Sequence, residues 1–159
     1  MIKTMITYRG DAEVAAKEIK PIISAALGFA IEYRHRHQLR RHFERVAASR
    51  YHYKRRGWKY VQRKQRVNGH NNPLMWTGDM KQQVLRRLEV RTLKTRARAS
   101  GRMKGPAYLH MRPKGNHPPM ADELNKDTQA ELRRLAQLVD RRSTRAINAL
   151  KTARSTKIA

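Results

Sequence analysis

Histidine is the residue in this sequence best suited to acid–base or metal chemistry, but its spacing is unfavourable for both. His35, His37 and His42 lie close together, yet only His35 and His42 share a helical face, two turns apart. That separation is too wide for the pair alone to chelate a metal ion. Cysteine is absent, which excludes thiolate metal sites, a cysteine nucleophile and disulfides. We therefore predict no metal site and no cofactor, and interpret these histidines as part of a solvated, arginine-flanked helix surface.

Carboxylates, the other groups that could act as catalytic acids or bases, are few and scattered. A paired-carboxylate site would have to bring together distant residues such as Glu44, Asp79 and Glu89, and nothing in their spacing favours it. Gly101 and Gly105 flank a short basic run, but that run lacks the Lys-Ser or Lys-Thr pair of a phosphate-binding loop. The sequence therefore predicts that the protein is not an enzyme.

Positive charge is the dominant chemical property of the chain. Its 159 residues include 37 Lys and Arg against 12 Asp and Glu, a formal net charge of +25. Eleven of these cations and a single acid lie in residues 37–66. Like charges at this density repel one another, so the segment needs an anionic surface nearby, either phosphate or an acidic protein, to fold stably.

Aromatic rings alternate with the cations in residues 51–64. Rings on which bases stack and cations that neutralise phosphates are typical of nucleic-acid surfaces. Alternatively, Tyr51, Trp58 and Tyr60 anchor a loop to the core while the cations face solvent or acidic neighbours, and we favour this second interpretation. Under either one, the interface for DNA or an acidic partner is predicted to comprise Arg50, Lys54, Arg55, Arg56, Lys59, Arg63, Lys64, Arg66, Arg96, Arg98, Arg102 and Lys104.

Hydrophobic periodicity and breaker residues predict the elements that position these side chains. The chain is predicted to begin with a strand at residues 2–8 and a helix capped by Asp11, followed by a long helix over about 21–50 that restarts at Pro21. A basic irregular loop over 51–73 and a short helix capped by Thr77 come next. The last predicted elements are a hairpin with its tip at 100–106 and its return strand at 107–111, and a helix over about 122–151. Residues 152–159 are expected to form a flexible tail.

Together these elements predict one α+β domain over residues 1–151, in which a long N-terminal helix and a C-terminal helix pack on a small antiparallel sheet. The core is expected to be thin, because aromatic residues make up only 6% of the chain. A thin core favours an oligomer or a part of a larger assembly over a free-standing monomer. The longest apolar run, residues 22–31, is too short to span a bilayer, so we predict a buried helix, synthesis in a cytoplasm and no membrane partner.

One motif in the basic region resembles a known family. Phe43 on the long helix, Gly57-Trp58 in the basic loop and Pro73-Leu74-x-x-Thr77-Gly78-x-Met80 at a helix start resemble the tail-completion and virion-morphogenesis proteins of tailed phages. The order of the predicted elements is similar over most of the chain. The sequence departs from the family in two respects, which are Met80, where leucine is usual, and the extreme positive charge.

The resemblance implies a structural virion protein, not an enzyme, that forms or completes a homo-oligomeric ring joining the head connector to the tail around the DNA channel. The implied partners are further copies of the chain, portal or connector proteins, tail proteins and DNA in the channel, and the implied location is the neck or tail of the virion.

We assign the motif a structural role, in which the loop is stapled to the core by Trp58, Leu74, Trp76, Thr77, Gly78 and Met80. The alternative function is that of a basic nucleic-acid-binding protein, for example one associated with the ribosome or the nucleoid.

Overall fold

The computed structural model describes residues 16–86, 88–103, 105–111 and 117–158, which form an α+β fold as predicted. The predicted strand at residues 2–8 and the Asp11 cap lie outside the described residues. The sequence predicts one domain, whereas the contacts of the chain group it into two compact units. The first unit contains the described residues up to Glu32, Val90–Gly101 and the residues from Arg133 onwards, and the second contains Tyr33–Glu89 and Arg102–Leu132.

The N-terminal helix is long, as predicted, but its hydrogen-bond pattern changes along its length. Helix α1 (Ala16–Tyr33) runs through Pro21, so the proline does not restart the helix. The backbone continues as a π-helical turn (Arg34–Gln38) and a 3₁₀ turn (Leu39–Phe43). A separate short helix, α2 (Ala47–Arg50), follows. A widened turn followed by a tightened one rotates the side chains that come after it, and apolar spacing alone does not reveal such a change.

In the first unit, α1 packs closely on a two-stranded antiparallel sheet formed by β1 (Leu88–Leu93) and β2 (Arg98–Met103). Ser24 is fully buried and donates a hydrogen bond from Oγ to the carbonyl oxygen of Arg98 at 3.0 Å. At Gly28 a Cβ atom would lie 3.0 Å from Cγ2 of Thr92, so a larger residue would require the Thr92 side chain to shift. Small residues therefore set the distance between helix and sheet.

The hairpin turns earlier in the chain than predicted. Its connection is a 3₁₀ turn at Lys94–Arg96 followed by Ala97 with a φ of +48°. The predicted tip at 100–106 is wrong, because Ser100 and Gly101 lie within β2, and the predicted return strand is a 3₁₀ turn at Ala107–His110. Apolar and polar residues alternate in opposite phases before and after Leu93, which predicts a bulge or a helix-to-strand switch near Thr92 and Leu93. The structure instead ends β1 at Leu93 and reverses the chain directly after it.

The predicted C-terminal helix is divided into α5 (Met120–Leu124) and α6 (Gln129–Ile158). Thr128 Oγ1 accepts a hydrogen bond from the Glu131 amide at 3.2 Å, and Glu131 Oε2 accepts one from the Thr128 amide at 3.0 Å. This reciprocal capping box begins α6, and its Thr-x-x-Glu signature is a signal that the sequence prediction misses. The helix continues to Ile158, through most of the predicted flexible tail.

The buried face of α6 matches the predicted stripe in part. Apolar spacing in the sequence predicts an inward stripe of Leu124, Thr128, Leu132, Leu135, Val139, Ala146 and Leu150. Leu135 and Val139 are buried as predicted, together with Ser143 and Ile147. The guanidinium of Arg142 lies 4.1 Å from the ring centroid of Phe29, a cation–π contact within the first unit.

The second unit has its own core. It contains side chains from the 3₁₀ turns at Leu39–Phe43 and Ala107–His110, from α2, from the loops between α2 and the next core helix, α4 (Asp79–Arg86), and from α4 and α5. The spacing of Met80, Val84 and Leu88 in the sequence predicts that they share one side of this helix, and Met80 and Val84 of α4 are buried. The core comprises Leu39, Phe43, Ala47, Tyr51, Tyr53, Leu74, Met80, Val84, Leu109, Ala121 and Leu124. Within the described part of the chain, no helix is both long and apolar enough to cross a membrane.

Replacing Gly28 with leucine is expected to lower the free energy of unfolding by about 1–3 kcal/mol, because the new side chain would overlap Thr92 and push α1 away from the sheet. Ala25→Leu is the matched control, since Ala25 is exposed on the same helix. Urea unfolding followed by circular dichroism measures both. Equal stability of the two variants would show that α1 does not approach the sheet at Gly28.

Candidate anion-binding interface

The predicted irregular basic loop contains a well-formed helix, α3 (Trp58–Asn68). Its first backbone hydrogen bonds go to the carbonyl oxygen of Gly57. It ends at Gly69, whose φ of +69° lets its amide donate to the carbonyl oxygen of Gln65 at 2.9 Å. The prediction of a loop here is wrong because the buried residue of α3 is Lys64, so a search for an apolar stripe does not detect the helix.

The outward face of α3 is basic. Lys59, Arg63 and Arg66 are all exposed, and their four- and three-residue spacing places them on one side of the helix. We refer to these three residues as the basic face. The spacing brings like charges into proximity, which destabilises the helix unless opposite charge from elsewhere compensates.

No acid close in sequence offsets the basic face. Residues 45–78 contain nine Lys and Arg and no Asp or Glu. The ion pairs found among the described residues use other arginines, namely Arg34, Arg41, Arg50 and Arg56. The basic face therefore has no ion-pair partner in the described part of the chain.

Arg56, a predicted interface residue, instead holds the basic segment to the interior of the second unit. Its Nη2 atom donates to Oε2 of Glu123 at 2.7 Å. Glu123 is fully buried, and burial raises the pKa of its carboxyl, although the charge of Arg56 acts in the opposite direction. This ion pair fixes the residues just before α3 onto α5.

Lys64, also predicted at the interface, points inward. Its side chain is buried, and Nζ donates a hydrogen bond to the carbonyl oxygen of Asn72. Burial, with a smaller contribution from the charge of Arg56, lowers the pKa of Lys64 to about 8. Lys64 thus fastens the loop after α3 to the helix and is not available to a partner.

The remaining predicted interface cations do not belong to α3. Arg50 pairs with Glu44 at 3.2 Å on the surface. Four others are exposed, namely Lys54, Arg55, Arg98 and Arg102. Lys104 and the side chain of Arg96 lie outside what the structure describes. Of the predicted set, the structure brings Lys59, Arg63 and Arg66 together on one helix face.

Aromatic rings accompany the basic face. Trp58, at the start of α3, is 71% exposed, and Tyr60 and Trp76 are 43% and 37% exposed. The ring centroids of Tyr60 and Trp76 lie 5.8 Å apart, so this pair holds the loop against the helix. Two predictions are therefore wrong. Trp58 and Tyr60 do not anchor the segment to the core, and Trp58 and Trp76 do not staple the loop to it. Tyr51 is buried as predicted.

The turn over residues 73–80 anchors the end of this segment. Leu74 and Met80 are buried in the core, as predicted. Thr77 differs from the prediction of a helix cap, because its hydroxyl donates to Oδ2 of Asp79 at 2.7 Å, whereas a capping hydroxyl accepts hydrogen bonds from the unpaired amides. Gly78 has a φ of +97°, and an added Cβ would meet no atom within 4 Å, so glycine is needed there for its backbone conformation and not for a close approach.

An open groove of about 300 Å³ lies between α3 and the loop that follows it. Trp58 and Val61 supply apolar surface, and the other lining residues are polar or basic. The groove is lined by Trp58, Val61, Gln62, Gln65, Arg66 and Asn71. It therefore joins an exposed indole ring, amide groups and one cation of the basic face, without a carboxylate.

A buried polar cluster in the second unit escapes the sequence prediction. His42 is fully buried and stacks on the ring of Tyr51, with the centroids 3.8 Å apart. Its Nδ1 atom lies 2.5 Å from the hydroxyl oxygen of Tyr53, and the hydroxyl of Tyr51 donates to Oε1 of Glu131 at 2.9 Å. His35 is buried too, so the prediction of a solvated histidine surface is wrong for both residues.

Burial controls the protonation of this cluster. Burial, with a smaller contribution from the nearby positive charge of Arg34, lowers the pKa of His42 to about 4. Burial raises the pKa of Glu131, but hydrogen bonds from Thr128 and Tyr51 outweigh that effect and hold the pKa below its usual value. At neutral pH the cluster therefore contains a neutral imidazole and an ionised carboxylate.

Comparisons of the chain with protein-family models, curated proteins and solved structures find no match. Among the described residues, no group of three or more His, Cys, Asp or Glu is arranged to hold a metal ion. Function is therefore inferred from the charges and contacts of the chain itself.

Arg56→Gln is expected to lower the free energy of unfolding by about 2–3 kcal/mol, because it leaves Glu123 buried without its ion-pair partner. Arg55→Gln removes the same charge from the adjacent exposed position and is expected to change stability by less than about 0.5 kcal/mol. Urea unfolding of the two variants at neutral pH measures the difference. Near-equal stabilities would contradict the structural role of Arg56.

His42→Gln is expected to weaken the dependence of stability on pH between pH 7 and pH 5. A histidine in the unfolded chain has a pKa near 6.5, whereas His42 in the folded protein has one of about 4. The unfolded chain therefore binds the proton more tightly, so stability is complete above the unfolded pKa and is lost as the pH falls toward 4. Protonation of His42 on unfolding is therefore expected to lower the free energy of unfolding of the wild type by about 2 kcal/mol between pH 7 and pH 5.

Urea unfolding at several pH values measures this dependence, with His37→Gln as the control because His37 is exposed. The control is expected to retain the wild-type dependence. The same dependence in His42→Gln as in the wild type would refute the assignment of a buried, neutral His42.

Proposed function

We propose that the protein is a structural component of a tailed-phage virion that forms or completes the ring joining the head connector to the tail. The observation that carries the proposal is the basic face, which is exposed and has no ion-pair partner among the described residues. Such a surface is suited to an anionic surface of another molecule. The α+β fold and the buried Leu74 and Met80 support the resemblance to virion-morphogenesis proteins.

Contacts between identical subunits of such a ring would use surfaces other than the basic face. Each copy carries a net charge of +25. In the second unit, Glu123, Asp127 and Glu131 are each engaged by an arginine of the same chain. A second copy also carries many more positive than negative charges, and pairing through the basic face would bring like charges together.

Exposed apolar side chains are better suited to contacts between subunits, because their burial removes apolar area from water without adding charge repulsion. Several large ones are between 46% and 62% exposed, namely Val46, Val67, Leu93, Tyr108 and Met111. Cyclic closure would bury such residues and compensate for the thin core of each subunit.

Replacing Lys59, Arg63 and Arg66 together with glutamine should prevent the joining of heads and tails while leaving the subunit folded, because these side chains are exposed. Electron microscopy of particles from a phage carrying the variant, with counts of free heads and free tails, measures joining. The urea midpoint measures folding.

The matched control replaces Arg133, Arg134 and Arg141, which are exposed on α6, and removes the same number of charges. Control particles are expected to join normally. Normal infectious particles from the basic-face variant, or equal failure of the control, would contradict the proposal.

A free-standing nucleic-acid-binding protein is the second candidate, and the exposure of Trp58 beside the basic face favours it. If the protein forms a ring, the purified chain should self-associate without nucleic acid. A free-standing nucleic-acid-binding protein should instead be a monomer. Light scattering with and without an oligonucleotide distinguishes the two.

A further inference from the structure

We propose that the groove beside α3 binds unpaired nucleotides, with Trp58 stacking on a base and the basic face contacting the phosphates. The inference deepens the proposed function by naming the ligand of the basic face, and it rests on that function only for the premise that this face meets another molecule. The site combines three neighbouring chemical groups, which are an exposed indole, amide side chains and cations.

The indole of Trp58 is available for stacking. At 71% exposed it is the most solvent-accessible of the large hydrophobic side chains in the described part of the chain. It also lines the groove with half-buried Val61. Because folding of the chain does not bury this ring, the hydrophobic free energy of covering it remains available to a ligand. Stacking on an aromatic side chain is sequence-tolerant, since every base has a π face.

The amide and guanidinium groups of the groove suit the remaining parts of a nucleotide. Gln62, Gln65 and Asn71 present amide donors and acceptors that can pair with base edges. The Gln65 amide nitrogen already donates to the carbonyl oxygen of Gly69 at 3.2 Å, which leaves its oxygen free to accept. Arg66 belongs to both the groove and the basic face, so phosphates along the strand would continue from it to Arg63 and Lys59.

Charge complementarity favours an anionic ligand, and the mixture of groups favours nucleic acid over an acidic protein. The absence of Asp and Glu from residues 45–78 removes the repulsion that phosphate would otherwise meet. A carboxylate-rich protein would satisfy the basic face through its charges, and it would need separate aromatic and polar groups to cover the indole and the amides of the groove. A nucleotide presents an aromatic face, hydrogen-bonding edges and a phosphate at once.

Unpaired nucleotides fit the site better than an intact duplex. In a duplex each base is already stacked between its neighbours, and only its edges are open in the grooves. An indole at the surface can therefore stack only on a base that is unpaired or at a frayed end. We expect duplex DNA to contact the basic face through phosphates alone.

Intrinsic fluorescence of Trp58 provides the test, because the chain contains only two tryptophans. In protein carrying Trp76→Phe, which keeps a ring beside Tyr60, the signal comes from Trp58 alone. Addition of a thymidine oligonucleotide of about 12 nucleotides is expected to quench that signal and to bind more tightly than a duplex of the same length. The duplex should bind without quenching.

Anisotropy of a labelled oligonucleotide then measures the affinity of variants in the wild-type background. Trp58→Leu, which keeps an apolar side chain but no ring, should weaken binding at least about fivefold, while Trp58→Phe should retain most of it. Arg63→Gln should weaken binding and reduce its salt dependence, whereas Arg134→Gln, an exposed position on α6, should change neither. Unchanged affinity of Trp58→Leu would overturn the proposal.

Two further outcomes would also overturn it. If polyglutamate competes with the oligonucleotide at equal charge concentration, the basic face binds an acidic protein. If the duplex binds as tightly as the single strand, the face contacts phosphates alone. Failure here and failure of the proposed function remain distinguishable. The first is read on the purified chain, and the second on the joining of heads and tails.

Discussion

The distribution of a small number of acids among many cations is the constraint on which the structure depends. The chain has 12 acids for 37 cations, and three of those acids, Glu123, Asp127 and Glu131, lie inside the second unit, each engaged by an arginine. Burying an acid without its partner would be costly, so these arginines are fixed as structural residues. The cations on the outward face of α3 are consequently left without compensation from the described part of the chain. The same arrangement that stabilises the interior creates the basic face.

Polar contacts also replace the large apolar side chains that the sequence lacks. His42 stacks on Tyr51, which in turn donates to Glu131, and Glu131 caps the start of α6 through Thr128. Lys64 and Arg56 similarly hold the two ends of the basic segment. Buried polar networks of this kind stabilise a fold only when their members are satisfied, which makes the second unit sensitive to single substitutions and to protonation of His42.

The fold class and the buried positions of α4 could be predicted from the sequence, because they depend on apolar spacing. Helix α3 could not be predicted, since its inward residue is Lys64, whose charged side chain donates to the backbone carbonyl of Asn72 in the loop that follows the helix. The sequence also could not show which of the predicted interface cations are structural and which are exposed. Arg55 and Arg56 are adjacent and chemically identical, but only Arg56 pairs with Glu123, while Arg55 is exposed. Apolar periodicity shows which apolar residues a helix buries, but it gives no information about buried ion pairs.

The outward cations of α3 repel one another while no anionic partner covers them. The dependence of the free energy of unfolding on sodium chloride concentration tests this repulsion most directly, in the wild type and in the protein with Lys59, Arg63 and Arg66 replaced by glutamine. Because salt screens repulsion between exposed charges, the wild type should become more stable as salt rises from low to physiological concentration, and the variant should show a smaller increase. A wild-type stability that is independent of salt, or an equal increase in both proteins, would contradict the account.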